Sequence, residues 1–293
     1  MDTLDIYFIS LKESPRRKVC QATTENPPSS EGYSLQFNFH LFDAIDKHSH
    51  YFRNDLGYSG LIENSYSSQW LKESEWFNDI HGRELLPEEL GCYASHYMLW
   101  IKCIESNRPL VILEDDVELK SNFYESLVHC MQSPFDFVRL FATFWEIKTK
   151  KSSIAQVGGS QVLPTDPKVE VILKEHFYLS CLEVFAASAY YLTPKAAKAF
   201  VSASLHFTEP VDNLLSLVHA HKIPNITYIP ISVGFNQYHA ISTISGGDSD
   251  NLRMSTDKFY RARLITRRLR TLFYQARRYY YYRHFLKRFA HLR

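Results

Sequence analysis

The chain lacks any run of ~18 consecutive apolar residues, so a membrane-spanning helix is not expected. Residues 177–192 come closest, and Glu183 interrupts them. There is no Gly-x-x-x-x-Gly-Lys-Ser/Thr loop or other phosphate cradle, which argues against a P-loop nucleotidyl- or phosphotransferase. Cysteine is scarce. Cys20, Cys92, Cys103, Cys130 and Cys181 are odd in number, widely spaced and without a Cys-x-x-Cys pair. They suit a reducing cytoplasm and mostly buried thiols rather than a zinc site or a disulfide framework. Met1-Asp2-Thr3-Leu4-Asp5 has neither a basic region nor a long apolar core, so secretion is not expected. No internal repeat is visible, and residues 261–293 contain no acid at all.

What the chain does have is concentrated at Leu110-Val111-Ile112-Leu113-Glu114-Asp115-Asp116. Four apolar residues, β-branched in part, read as a buried strand. Three adjacent carboxylates at its end repel one another unless a cation or a hydrogen-bond network compensates. Ligands of open α/β sheets sit at the carboxyl ends of strands. Hard oxygen donors there suit Mg²⁺ or Mn²⁺ bridging to a phosphate. The other reading of the tripeptide is an acidic surface turn.

Upstream, Leu90, Tyr93, Tyr97, Leu99, Trp100 and Ile104 approximate one helical face, and Pro87-Glu88-Glu89 supplies a helix start. Asn107-Arg108-Pro109 breaks that helix before the strand. Leu4 to Leu11 reads as another strand, followed by a basic turn, Lys12 to Lys18, whose Arg16-Arg17 pair can hold an anionic ligand by bidentate contacts.

In this order the pieces resemble glycosyltransferase family 25, enzymes of lipooligosaccharide and lipopolysaccharide assembly. The resemblance runs over roughly residues 4–245. It is carried by Ser10-Leu11 with Arg16-Arg17, Gly91-Cys92 through Ser95-His96 with Leu99-Trp100, Ile112 to Val117, Ala189 to Thr193 with Ala196-Ala197, and Pro210 to Leu215. It implies a GT-A fold, a nucleotide-sugar donor, a divalent metal (Mn²⁺ or Mg²⁺), and inversion at the anomeric carbon. It also implies donor contacts from Ser10, Arg16, Arg17, Ala44, Ser95, His96, Glu114 and Asp115. Asp116 is then the first metal ligand, with Glu114 and His239 as further candidates. An inverting attack needs a base on the acceptor side. Asp212 is the candidate and Glu209 the fallback, although Asp at a helix start is also an ordinary N-cap. His48, His50, His219 and His221 read as incidental.

The remaining segments support an α/β chain. Phe37 to Phe42 reads as a strand entering Asp43-Ala44-Ile45-Asp46, and Phe135 to Phe141, Phe185 to Leu192 and Ile226 to Val233 as further strands. Thr193-Pro194 caps a helix to about Ala203, and Asp212 opens another to about His221. Residues 47–88 read as an insertion that could cover an acceptor, and 148–166, with Gly158-Gly159, as a mobile polar stretch. The fold expected is one GT-A-like domain over residues 1–258 with a mainly parallel central sheet.

Residues 259–293 are expected to form a separate basic, amphipathic helical tail. The chain as a whole has 33 basic and 32 acidic residues, net +1, but eleven Lys and Arg fall in 261–293, leaving 22 basic against 32 acidic, net −10, before it. At 100° per residue Ile265, Leu269, Leu272, Phe273, Ala276, Tyr279 and Tyr280 share a face roughly opposite Arg263, Arg267, Arg270, Arg277 and Arg278. That pattern suits the interface of an anionic membrane, each Arg contributing about 1 kcal/mol. Packing on the domain and RNA binding use similar residues, but no nucleic acid partner is expected. Two functions follow. One is a metal-dependent transferase, peripheral on the cytoplasmic face of the inner membrane, moving galactose from UDP-galactose, or a glucose or heptose, to a lipid-linked oligosaccharide. The other is a non-enzymatic adaptor that binds membrane or RNA through the tail.

Overall fold

The computed structural model describes residues 3–46, 85–145, 170–205, 207, 209–239 and 260–293. Most of the expected insertion, residues 47–84 with His48 and His50, lies outside the described residues, as does the polar stretch 148–166.

Side-chain alternation in β1 (Thr3–Ser10) and β3 (Leu110–Glu114) sets the layering. Leu4, Ile6 and Phe8 join one apolar cluster, and Tyr7 and Ile9 join another. Val111 and Leu113 face the first cluster, Leu110 and Ile112 the second, and all four are at most 2% exposed. Successive strand residues point to opposite faces, so a strand apolar at every position is one covered on both.

The sheet has eight strands in the order β2 (Gln36–Asp43), β1, β3, β10 (Ala189–Leu192), β5 (Phe137–Arg139), β11 (Ile226–Tyr228), β8 (Phe177–Ser180) and β7 (Glu170–Leu173). β2–β1, β1–β3 and β5–β11 are parallel, and the other four pairings are antiparallel. The chain is therefore α/β as expected. Its sheet is mixed: parallel where the acid turn emerges and antiparallel around β10 and toward β7. Two short ladders flank it, β4 (Val117–Leu119) with β12 (Val233–Phe235) and β6 (Thr143–Trp145) with β9 (Glu183–Phe185).

One sheet face packs α2 (Pro87–Ser106) and α4 (Pro194–Ala203). The other packs α1 (Arg17–Glu25) and α3 (Phe123–Gln132). The start of α2 follows its sequence: Pro87 opens the first turn and the Glu89 carboxylate accepts the Leu86 N–H at 2.8 Å. Asn107 ends the helix in the left-handed region, φ 50°. Thr193 caps α4, its hydroxyl accepting from Ala196 N–H.

Several expected elements are divided. Residues 185–192 are two strands rather than one, because Ala186 takes φ 87° and β9 and β10 pair with different partners. The span from 226 to 233 is likewise broken. Pro230 has no N–H to extend the ladder, and Val233 pairs with β4 instead. In place of one helix from Asp212 there are two short ones, α5 (Val211–Leu214) and α6 (Val218–His221), with Pro210 at the N-cap of α5. The basic turn ends sooner than expected, since Arg17 already belongs to α1.

The tail forms α7 (Tyr260–Arg288). Its C-terminal end enters the domain core: Tyr282, Phe285 and Phe289 are at most 4% exposed, and Phe289 meets Phe135 edge-on with centroids 5.0 Å apart. Lys174 N–H also donates to Leu292 C=O at 2.8 Å. Leu269, Leu272, Phe273, Tyr279 and Tyr280, on the face picked out by periodicity, are exposed. The tail thus packs on the domain through a different face from the one expected to meet a membrane. Among the described residues no helix is long and apolar enough to cross a membrane.

Candidate active site

The parallel pair β1–β3 ends at one edge, and the two strand ends open onto a cavity of about 510 Å³. Of the expected donor and metal residues, Ser10, Arg16, Ala44, Ser95, His96, Glu114, Asp115, Asp116 and His239 line it. Arg17, Asp212 and Glu209 are not among its lining residues.

The three acids sit in three different environments. Asp115 is committed to the protein. Its Oδ2 accepts from the Ser10 hydroxyl at 2.8 Å and the Ser14 hydroxyl at 3.1 Å, and its Oδ1 from Arg16 Nη1 at 3.2 Å. These bonds fasten the β1–α1 turn to the end of β3. The expected Arg pair diverges: Arg16 serves the acids, while Arg17 donates to Ser10 C=O at 3.2 Å and to Asp43 at 2.6 Å, away from the cavity.

Asp116 is 8% exposed, and its Oδ2 accepts from His239 Nδ1 at 2.7 Å and lies 4.0 Å from Arg16 Nη1. Its Oδ1 is buried and has no hydrogen-bond partner among the described residues. Burial and the neighbouring Glu114 charge push its carboxyl above the ordinary range, against the pull of His239 and Arg16. A buried, orphaned carboxylate oxygen on a ligand-sized cavity is a fit for a hard cation. His239 Nδ1 is already used by Asp116, so this histidine orients the carboxylate through that nitrogen. The loop that carries it is tied down by Asn236, whose N–H donates to Asp116 C=O at 2.8 Å and whose Nδ2 donates to Asp115 C=O at 3.2 Å.

Glu114 behaves oppositely. Burial alone would raise its carboxyl. The adjacent His96 ring, then Ser188 and Arg16, outweigh burial and hold it below the usual value. Cys92 Sγ lies 3.9 Å and His96 Nε2 3.4 Å from Glu114 Oε1. Cys92, His96 and Glu114 together bring three ligand-type atoms within 4.8 Å, a second grouping of a kind that can hold a metal. Burial raises the Cys92 thiol well above its ordinary value, which keeps it protonated and a weak ligand.

Ser95 and Ala44 shape the wall more than they offer groups to a ligand. Ile45 N–H donates to Ser95 Oγ at 2.8 Å, Ser95 donates to Gly91 C=O at 2.8 Å, and Ala44 N–H donates to Ser10 C=O at 2.9 Å.

Asp212 lies in the first turn of α5 and accepts the Asn213 N–H at 2.8 Å. Burial and the Glu114 charge raise its carboxyl, while the Asn213 N–H and Arg139 act the other way. Glu209 is buried and accepts from Asn213 Nδ2. Arg139 had not been singled out. It is fully buried on β5, donates to Asn225 Oδ1 at 2.7 Å and to Ala186 C=O, and is pushed down to about 10 by desolvation. A positive charge inside the mostly apolar run Phe135–Phe141, which also holds Asp136, was its signal. Ser14 and Asn236 carried no comparable signal, since small polar residues in turns are commonplace.

The sequence profile of glycosyltransferase family 25 (LPS biosynthesis protein) matches residues 3–215. Over 134 residues, 44% of this chain, it is 27% identical to procollagen galactosyltransferase 1-B of Xenopus laevis. Over 235 residues, 76% of this chain, it is 30% identical to a Rattus norvegicus protein named probable inactive glycosyltransferase 25 family member 3. Over 94 residues, 29% of this chain, it is 34% identical to lipooligosaccharide biosynthesis protein lic2B of Haemophilus influenzae. The matches cover 19%, 34% and 35% of those proteins' own lengths.

Proposed function

We propose, for a chain that belongs to glycosyltransferase family 25, that it transfers galactose from UDP-galactose onto a lipooligosaccharide or lipopolysaccharide acceptor with inversion. The buried, unpartnered Oδ1 of Asp116, a residue that lines the strand-end cavity, carries this reading. Sugar transfer builds positive charge on the sugar and negative charge on the leaving diphosphate. Asp116 would hold a divalent Mn²⁺ or Mg²⁺, with Glu114 beside it and His239 fixing the Asp116 carboxylate. When bound, that ion supplies Lewis-acid neutralisation of the diphosphate. Arg16 adds fixed positive charge at the same wall, and Ser10, Ala44, Ser95, His96 and Asp115 give the cavity its shape. Asp212 takes the acceptor hydroxyl proton. Its raised carboxyl moves toward working pH, the direction that suits a general base. Glu209 is the alternative base.

The names of the frog and Haemophilus relatives support galactose and a lipooligosaccharide acceptor respectively. The domain would be residues 1–258, with 259–293 docking it on the anionic cytoplasmic face of the inner membrane. The exposed apolar stripe from Leu269 to Tyr280 among basic residues supports that placement. The rat relative's name favours a second reading, a domain without transfer activity. One experiment separates them: incubate the full chain with UDP-galactose, UDP-glucose or an ADP-heptose, with and without Mn²⁺, and follow sugar transfer to a lipooligosaccharide acceptor. Metal-dependent transfer from UDP-galactose is expected, and full turnover in excess EDTA, or none from any donor, refutes it.

A further inference from the structure

Beneath the cavity floor lies a chain of buried polar groups that the transfer chemistry does not itself require. His96 and Trp100 are four residues apart on α2 and so share a face. Tyr190 faces them from β10. All three are 0% exposed. Trp100 Nε1 lies 2.9 Å from the Tyr190 hydroxyl, which lies 2.7 Å from His96 Nδ1, and His96 Nε2 lies 3.4 Å from Glu114 Oε1.

The direction of the proton chain follows from what each group can do. An indole N–H only donates, so the Tyr190 oxygen accepts from Trp100. The phenol has one proton to give, and its partner is His96 Nδ1. A neutral imidazole that accepts at Nδ1 carries its proton on Nε2, which is buried 3.4 Å from Glu114 Oε1 without a well-formed hydrogen bond among the described residues. The opposite tautomer would leave the Tyr190 proton without an acceptor among the described residues, at full cost for a buried hydroxyl.

We propose that Tyr190 is a positioning residue: by donating to His96 Nδ1 it locks the imidazole as the Nε2–H tautomer, which presents an N–H rather than a lone pair to Glu114 at the cavity wall. His96 Nε2 and Cys92 Sγ then both lie beside Glu114 Oε1, at 3.4 and 3.9 Å. The consequence for turnover rests on Glu114 being a working part of the transfer site. The tautomer itself does not.

The full chain, labelled with ¹⁵N-histidine, tests both parts. Imidazole ¹H–¹⁵N correlations report the tautomer, with the His96 signals assigned by their loss in His96→Gln. Wild type should show a protonated Nε2 and an acceptor Nδ1 at His96. Tyr190→Phe should lose that single pattern, and its Mn²⁺-dependent turnover of UDP-galactose should fall ~10–100-fold, the range for groups that orient a site carboxylate. An Nδ1–H tautomer in wild type, which needs no variant to observe, overturns the proposal, as does an unchanged His96 pattern in Tyr190→Phe. A pattern that changes while turnover does not supports the lock and overturns the place of Glu114 in transfer.

Discussion

Asp116→Asn should move stability in opposite directions with and without metal. In the metal-free protein the Asp116 carboxyl is pushed up, first by burial and then by Glu114. A folded-state value above the unfolded one means that this group's contribution to stability is present in acid and lost as pH rises through the folded value. At pH 7 the ionised side chain is therefore a net burden. Asparagine removes the charge and keeps an oxygen to accept from His239 Nδ1, so the metal-free variant should melt at or above the wild-type temperature, with the gap closing toward pH 4. Metal reverses the order. A ligand at 100 times its Kd stabilises the native state by ~2.7 kcal/mol. For a chain of 293 residues the unfolding entropy is roughly 0.6 kcal/mol/K, so the wild-type midpoint should rise by ~4 °C with Mn²⁺. The variant, without the buried anionic oxygen, should gain less than ~1 °C by the same relation. Differential scanning fluorimetry at pH 7, with EDTA or Mn²⁺, reads both shifts. Equal Mn²⁺ shifts in the two proteins would refute Asp116 as the ligand, and a metal-free variant that melts well below wild type would refute the electrostatic argument.

Asp212→Asn should lower kcat ~10²-fold or more, the usual worth of a general base. It should not lower the melting temperature at pH 7, because a raised buried carboxyl disfavours its own charge there; kcat within a few-fold of wild type would shift attention to Glu209. His221 is buried, accepts Ile223 N–H at Nδ1 and is pushed down by desolvation to about 3, against an ordinary 6.5. Its contribution is therefore whole above pH 6.5 and falls as pH drops toward 3, by up to ~1.4 kcal/mol per pH unit. Chemical denaturation of His221→Gln should show a flatter acid limb than wild type, and identical limbs would contradict this. Phe285→Ala should destabilise by ~3–5 kcal/mol because it empties a core position. Changing exposed Leu269, Leu272 and Phe273 together to Ser should instead leave melting within ~1 °C and abolish sedimentation with anionic liposomes, since isolated surface changes cost little. Liposome binding that survives the triple change would refute the docking face.

Much of the frame was legible in local sequence. The Leu110–Leu113 run reads as a strand buried on both faces because it is apolar at every position and so leaves no polar face for solvent. The caps of α2 and α4 were visible because Pro87, Glu89, Thr193 and Pro194 act within one helical turn. The clustering of Glu114, Asp115 and Asp116 at a strand end marked the site for the same local reason. The breaks at Ala186 and Pro230 were less visible, because each depends on which distant strand the chain joins next.

By itself, the order of residues determined the α/β alternation, the place of the acid turn and the charge polarity of the ends, all of which follow from neighbours along the chain. Only the tertiary structure decided what each acid does. Asp115 is spent on Ser10, Ser14 and Arg16, Glu114 is held ionised by His96, and Asp116 keeps a buried oxygen to spare. It also decided that Arg17 turns to Asp43 and that Phe285 and Phe289 enter the core. A carboxylate's role depends on burial and on partners 18 to 123 residues away in the chain, such as His96 for Glu114 and His239 for Asp116, and such distances are closed only by folding.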